Sequence, residues 1–144
     1  MTDLHRIADE AGIRVEYCRI PLNESLSVED ADGDFVLMDY GLINTGAAER
    51  THLAHEIGHC VQGAFYNPYA TLDVREKHEK RADKWAIEAL IPADDLEQAI
   101  ADGYTEIWSL AEHFNVTEDF MKKAVCWHLH GTLETELYFL PGNC

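Results

Sequence analysis

The segment Thr51-His52-Leu53-Ala54-His55-Glu56-Ile57-Gly58-His59-Cys60 constrains the chain more than any other. It contains His-Glu-x-x-His. On an α-helix, residues four apart lie on one face, about 6 Å apart in rise. Two imidazoles on that face can share one metal ion at about 2.0–2.1 Å each. Glu56 follows His55 by about 100° around the helix, which sets it beside the ion rather than on it. A general base for a metal-bound water belongs there. Leu53, Ala54, Ile57 and Val61 give the segment an apolar side, so the helix is expected to press into a core. Gly58 costs about 1 kcal/mol relative to Ala in mid-helix, and it predicts the close approach of another element. His52 lies about 10 Å of rise from His59, too far to share its ion, and is expected to face solvent.

A catalytic zinc has three protein ligands and one water. The third must come from elsewhere in the chain. Asp73 with Glu76 resembles a capping box, and Pro92 stops the helix that follows, which is expected over about 74–91. Its apolar stripe is Ala82, Trp85, Ala86, Ala89 and Leu90. Extended back one turn, the stripe reaches Glu79, and Asp83 is also on it. Two carboxylates on the inward face of a helix are expensive unless paired or metal-bound. Glu79, twenty residues after His59, is therefore chosen as the third ligand, with Glu76 and His78 as close rivals. Asp83 is placed behind the ligands, where it would accept the free N–H of one zinc histidine and fix its tautomer.

The other elements read from short-range pattern. Leu4, Ile7, Ala8 and Ala11 form a helical stripe stopped by Gly12. Ile13, Val15 and Tyr17 alternate with polar neighbours as in a strand. Residues 21–33 are polar and acidic and read as a loop with a hairpin-like end at Asp32-Gly33. Asp34 to Asp39 is a short apolar strand, and the metal helix follows over about 47–64. Asn67-Pro68 closes any helical reading. A short helix is expected over 94–101. Thr105 is expected to cap a helix with Ile107, Leu110, Ala111 and Phe114 inward. Thr117 should cap another with Phe120, Met121, Ala124, Val125 and Leu129 inward and Gly131 at its end. The pair over about 105–131 has the look of a helix-turn-helix, packed on the metal-site helices. The tail from Glu134 to Leu140 is expected to add a strand.

Charge narrows the function. The chain carries 27 acidic and 11 basic side chains for a net charge of −16. Nonspecific nucleic-acid binding rests on phosphate neutralisation by Lys and Arg, so no nucleic-acid partner is expected, and Glu118 and Asp119 open the would-be recognition helix. No run reaches the length of a membrane span, and Met1 to Arg6 has no apolar signal region, so a cytoplasmic protein with no membrane partner is expected. Cys18, Cys60, Cys126 and Cys144 form no CxxC pair and read as free thiols, with Cys60 a packing residue. At 144 residues the expectation is one α+β domain over 1–144, mostly helical and zincin-like, with a small sheet beside the His-Glu-x-x-His helix.

Three blocks together resemble the ImmA/IrrE metallopeptidases. They are Arg50-x-x-x-Ala54-His55-Glu56-Ile57-Gly58-His59, Glu79-x-x-Ala82-Asp83-x-Trp85-Ala86 and Leu90-Ile91-Pro92. Leu110-Ala111-x-x-Phe114-x-Val116-Thr117 matches a further block, and the resemblance covers roughly Gly33 to Leu129. Glu79-x-x-x-Asp83 is also similar to the thermolysin-like gluzincins. The resemblance implies zinc bound by His55, His59 and Glu79, with Glu56 as catalytic base. It implies a site-specific protease that cleaves a helix-turn-helix repressor of a phage, mobile element or stress response. The alternative is a metal-containing anti-repressor that binds its partner without cleavage. A donor to the oxyanion is sought among Tyr66, Tyr69, Tyr104, His113, His128 and His130.

Overall fold

A computed structural model describes residues 2–20, 25–30, 33–41, 43–63 and 71–139. Helix α1 (Leu4–Glu10) is capped by the Asp3 carboxylate, which accepts from the Arg6 N–H, and it ends at Ala11 with Gly12 at φ +73°. Strand β1 (Ile13–Cys18) follows, then β2 (Ser25–Asp30) and β3 (Gly33–Asp39). The sheet order is β1-β3-β2. β1 runs parallel to β3, with Val15 opposite Val36, and β2 runs antiparallel to it, with Leu26 opposite Leu37. Val36 and Met38 on the central strand are fully buried and join Leu53, Ala54 and Ile57 of the metal helix in one core. The expected α+β fold with a small sheet beside the His-Glu-x-x-His helix is what the chain adopts.

Helix α2 (Gly46–Gln62) carries that motif. The Thr45 hydroxyl accepts from the Ala48 N–H at its start, and Gly63 ends it in the left-handed region at φ 62°. Helix α3 (Leu72–Leu90) packs along it, followed by α4 (Ala93–Ala101), α5 (Ile107–Phe114) and α6 (Glu118–His130). Asp39, buried at the end of β3, accepts from the backbone N–H groups of Ile20 and Gly41 at 2.7 and 2.8 Å and so fixes the turn leading out of the sheet.

Several expectations need correction. Residues 25–30 are a strand rather than loop, because the free edge of β3 supplies hydrogen bonds that composition does not reveal. Being an edge strand, β2 tolerates its charges. Helix α3 is capped by Thr71, two residues before Asp73, and α5 by Glu106 rather than Thr105. Val61 and Leu129, both expected on the apolar faces of their helices, are 44% and 62% exposed in the last turns of α2 and α6. The tail forms a 3-10 turn over Thr135–Leu137, with Tyr138 stacked on His130, and adds no strand among the described residues. Asn67-Pro68, Asp32 and Cys144 lie outside the described residues.

Candidate metal centre

Helices α2 and α3 approach closely at Gly58. A Cβ there would lie 2.8 Å from the Ala82 carbonyl oxygen and 3.2 Å from its Cα. The glycine therefore lets the two backbones approach, as its cost in mid-helix foretold. Ala82, with no exposed surface, is the matching small residue. This crossing places His55 and His59 of one helix opposite Glu79 and Asp83 of the other.

The side chains converge. His55 Nε2 lies 2.7 Å from Glu79 Oε2, and His59 Nε2 lies 3.0 Å from Glu79 Oε1. The two Nε2 atoms are 3.1 Å apart, with ring planes at 83°. One ligand atom from each of His55, His59 and Glu79 falls within 4.8 Å of the others, a group able to hold a metal ion. The His55 Nδ1–H donates to Asp83 Oδ1 at 2.7 Å. That bond commits Nδ1 and leaves Nε2 facing the cluster, the tautomer a metal ligand needs. Two imidazoles and one carboxylate are a donor set that suits zinc.

Electrostatics point the same way. Burial alone pulls the His55 imidazolium down, but hydrogen bonds to Asp83 and Glu79, with their charges, outweigh it and push its pKa up to about 10. Burial raises the Glu79 carboxyl, yet its bonds to His55 and His59 hold it well below the usual carboxylate range. Burial likewise raises Asp83, and His55 and Lys123 more than reverse it. Asp83 and Glu79 thus set a negative potential at the His55 ring, the field a dication would enter.

Glu56 is buried, 6% exposed, on the turn of α2 between the two histidines. Glu76 is exposed, and neither it nor the half-buried His78 joins the cluster among the described residues. His52 is half-buried rather than solvent-facing, with Nδ1 3.4 Å from the Ser25 hydroxyl, because the unforeseen strand β2 lies over it. Burial, with the charges of Asp34, Glu56 and Glu29, pushes the Cys60 thiol up to about 12, which suits a packing residue.

The remaining candidates have contacts of their own. His128 Nε2 donates to the Ile91 carbonyl at 2.6 Å, Tyr104 packs against His113 with the rings tilted by 30°, and His130 stacks on Tyr138. Tyr66 and Tyr69 lie outside the described residues. The turn between α5 and α6 docks on α2, where the Thr117 N–H donates to the Thr51 hydroxyl at 3.1 Å. Lys122 lies over the Phe139 ring and Lys123 on Asp83, so both basic groups of the would-be recognition helix are turned to the chain itself. Sequence reasoning passed over Lys123. The available signal was its place beside the inward Phe120–Ala124 stripe.

A family model described as Peptidase_M78, IrrE N-terminal-like domain, matches residues 8–125. The match begins well before Gly33, so β1 and the end of α1, from Ala8, fall within it. No curated protein matches the chain.

Proposed function

The chain belongs to the Peptidase_M78 family, and from that premise we propose a zinc-dependent peptidase in which His55, His59 and Glu79 bind the metal, Glu56 is the catalytic base and Asp83 orients His55. Its function is of the metallopeptidase type, a hydrolase. The finer reading is an endopeptidase that cleaves a helix-turn-helix repressor at one site, relieving repression of phage, mobile-element or stress genes. The resemblance of the sequence blocks supports that substrate.

One observation carries the chemistry: three ligand atoms from two helices converge within 4.8 Å of one another, and Glu56, on the same turn of α2, is buried. Zinc bound there would lower the pKa of a coordinated water toward about 7 and polarise the scissile carbonyl. Glu56, next in sequence to His55 and off the ligand face, takes the proton from the attacking water and delivers it to the leaving amine. Asp83 holds the His55 proton on Nδ1, so it is Nε2 that would give up its proton and offer a lone pair to the metal.

The test is to incubate the wild-type chain and Glu56→Gln with a purified helix-turn-helix repressor from the same genome. Both proteins should hold about one zinc per chain. Cleavage should fall by about 10²–10⁴-fold in the variant. A repressor that stays whole with the wild-type protein, held in a stable complex, would overturn the peptidase reading in favour of sequestration.

A further inference from the structure

Asp83 has two carboxylate oxygens, and His55 takes only one. The other, Oδ2, accepts from Lys123 Nζ at 3.1 Å. Lys123 stands on α6, forty residues further along the chain. The Asp83 side chain is 14% exposed, so this pair differs from an ion pair in open solvent. It holds a carboxylate taken out of water and set four residues from a second one, Glu79, on the same helix face. In a chain of net charge −16, one of only 11 basic side chains is spent at this point.

The bond has a geometric consequence. A carboxylate held at one oxygen can rotate about its χ angles, whereas one held at both is fixed as a plane. Fixing that plane fixes the direction from which His55 Nδ1 is held, and with it the direction of Nε2. We propose that Lys123 is a positioning residue: from α6 it locks Asp83, and through Asp83 the ring of His55, in the orientation that presents Nε2 to the metal. The inference rests on the metallopeptidase reading of the cluster. It also makes the α5–α6 pair part of the metal site's scaffold rather than a separate module. Thr117 on Thr51 and Lys123 on Asp83 attach α6 to both ligand-bearing helices.

The experiment measures zinc affinity by competition with a chromophoric chelator, using the full chain and, alone and combined, Lys123→Met, Lys123→Arg and Asp83→Asn. Lys123→Met keeps the aliphatic stem and should weaken zinc binding about tenfold, the low end for a residue behind a metal ligand. Lys123→Arg keeps a charged donor and should stay within about threefold of wild type. In the Asp83→Asn background, Lys123→Met should change affinity by less than about twofold, because the two act as one unit. Far-UV circular dichroism of the metal-free proteins checks that each is folded. Should Lys123→Met not fold, Lys123→Gln takes its place with the same outcomes. Unchanged zinc binding in Lys123→Met would mean that the lysine does not act on the site, tighter binding that it acts only as a repelling charge, and either would overturn the proposal. So would a loss that persists at full size in the Asp83→Asn background. A wild-type chain that takes up no zinc would instead overturn the metal reading itself, and this proposal with it.

Discussion

Gly58→Ala sets two physical effects against each other. Helix propensity favours alanine by about 1 kcal/mol at an interior helical position. The α2–α3 crossing opposes it. The new Cβ would sit 2.8 Å from the Ala82 carbonyl oxygen, 0.6 Å short of the 3.4 Å at which ordinary contact begins, and 3.3 Å from Trp85 Cε3. The atoms nearest it are backbone, so no rotamer change relieves the clash, and the helices must part by several tenths of an ångström. Overpacking of this kind costs about 1–3 kcal/mol, and the backbone contact places it in the upper part of that range. The net expectation is a loss of about 1–2 kcal/mol, or a Tm lower by about 2–8 °C in the metal-free protein. Zinc binding should suffer as well. Parting the helices moves Glu79 and Asp83 away from His55 and His59, and metal sites tolerate only about 0.2 Å. Thermal melts and chelator competition measure the two effects. A Gly58→Ala protein that melts higher than wild type, as propensity alone demands, with zinc affinity unchanged, would refute the reasoning.

Further outcomes follow from the same geometry. Glu79→Gln replaces an anionic ligand by a neutral amide and should weaken zinc binding strongly, while Glu76→Gln at an exposed position should leave it unchanged; the reverse order would remove Glu79 from the ligand set. In the metal-free chain, His55 is raised from 6.5 to about 10, so its contribution to stability is complete below pH 6.5 and is lost as pH rises through about 10. Glu79 and Asp83 are lowered from 4.5 and 3.8, so theirs is complete above those values and is lost as pH falls through the depressed folded ones. A melting temperature that peaks between about pH 4.5 and 6.5 is therefore expected, and one that climbs steadily from pH 6.5 to 10 would contradict it. Thr71→Ala should cost about 0.5–2 kcal/mol by removing the bond to the Val74 N–H, and a chemical denaturation series in which Asp73→Ala costs more would restore the earlier cap.

The amino-acid sequence by itself determined the elements whose rules act within one or two turns. The four-residue spacing of His55 and His59, the same spacing of Glu79 and Asp83, and the Thr117 cap are all local, and the helices that carry them form as that spacing and capping direct. Gly58 announced a close neighbour without naming it. Tertiary structure decided what required a partner far along the chain. Strand β2 exists because β3 offers it an edge, a bond pattern that its acidic composition hides. His52 meets Ser25 only because that strand lies over α2. Lys123 reaches Asp83 across forty residues, and no spacing rule connects them. Val61 and Leu129 fit their helical stripes but lie open, because a stripe says which side of a helix is apolar and not which of its residues the rest of the chain covers. Periodicity and capping are set by backbone geometry over a few residues, whereas the choice of partner depends on which surfaces the folded chain brings together.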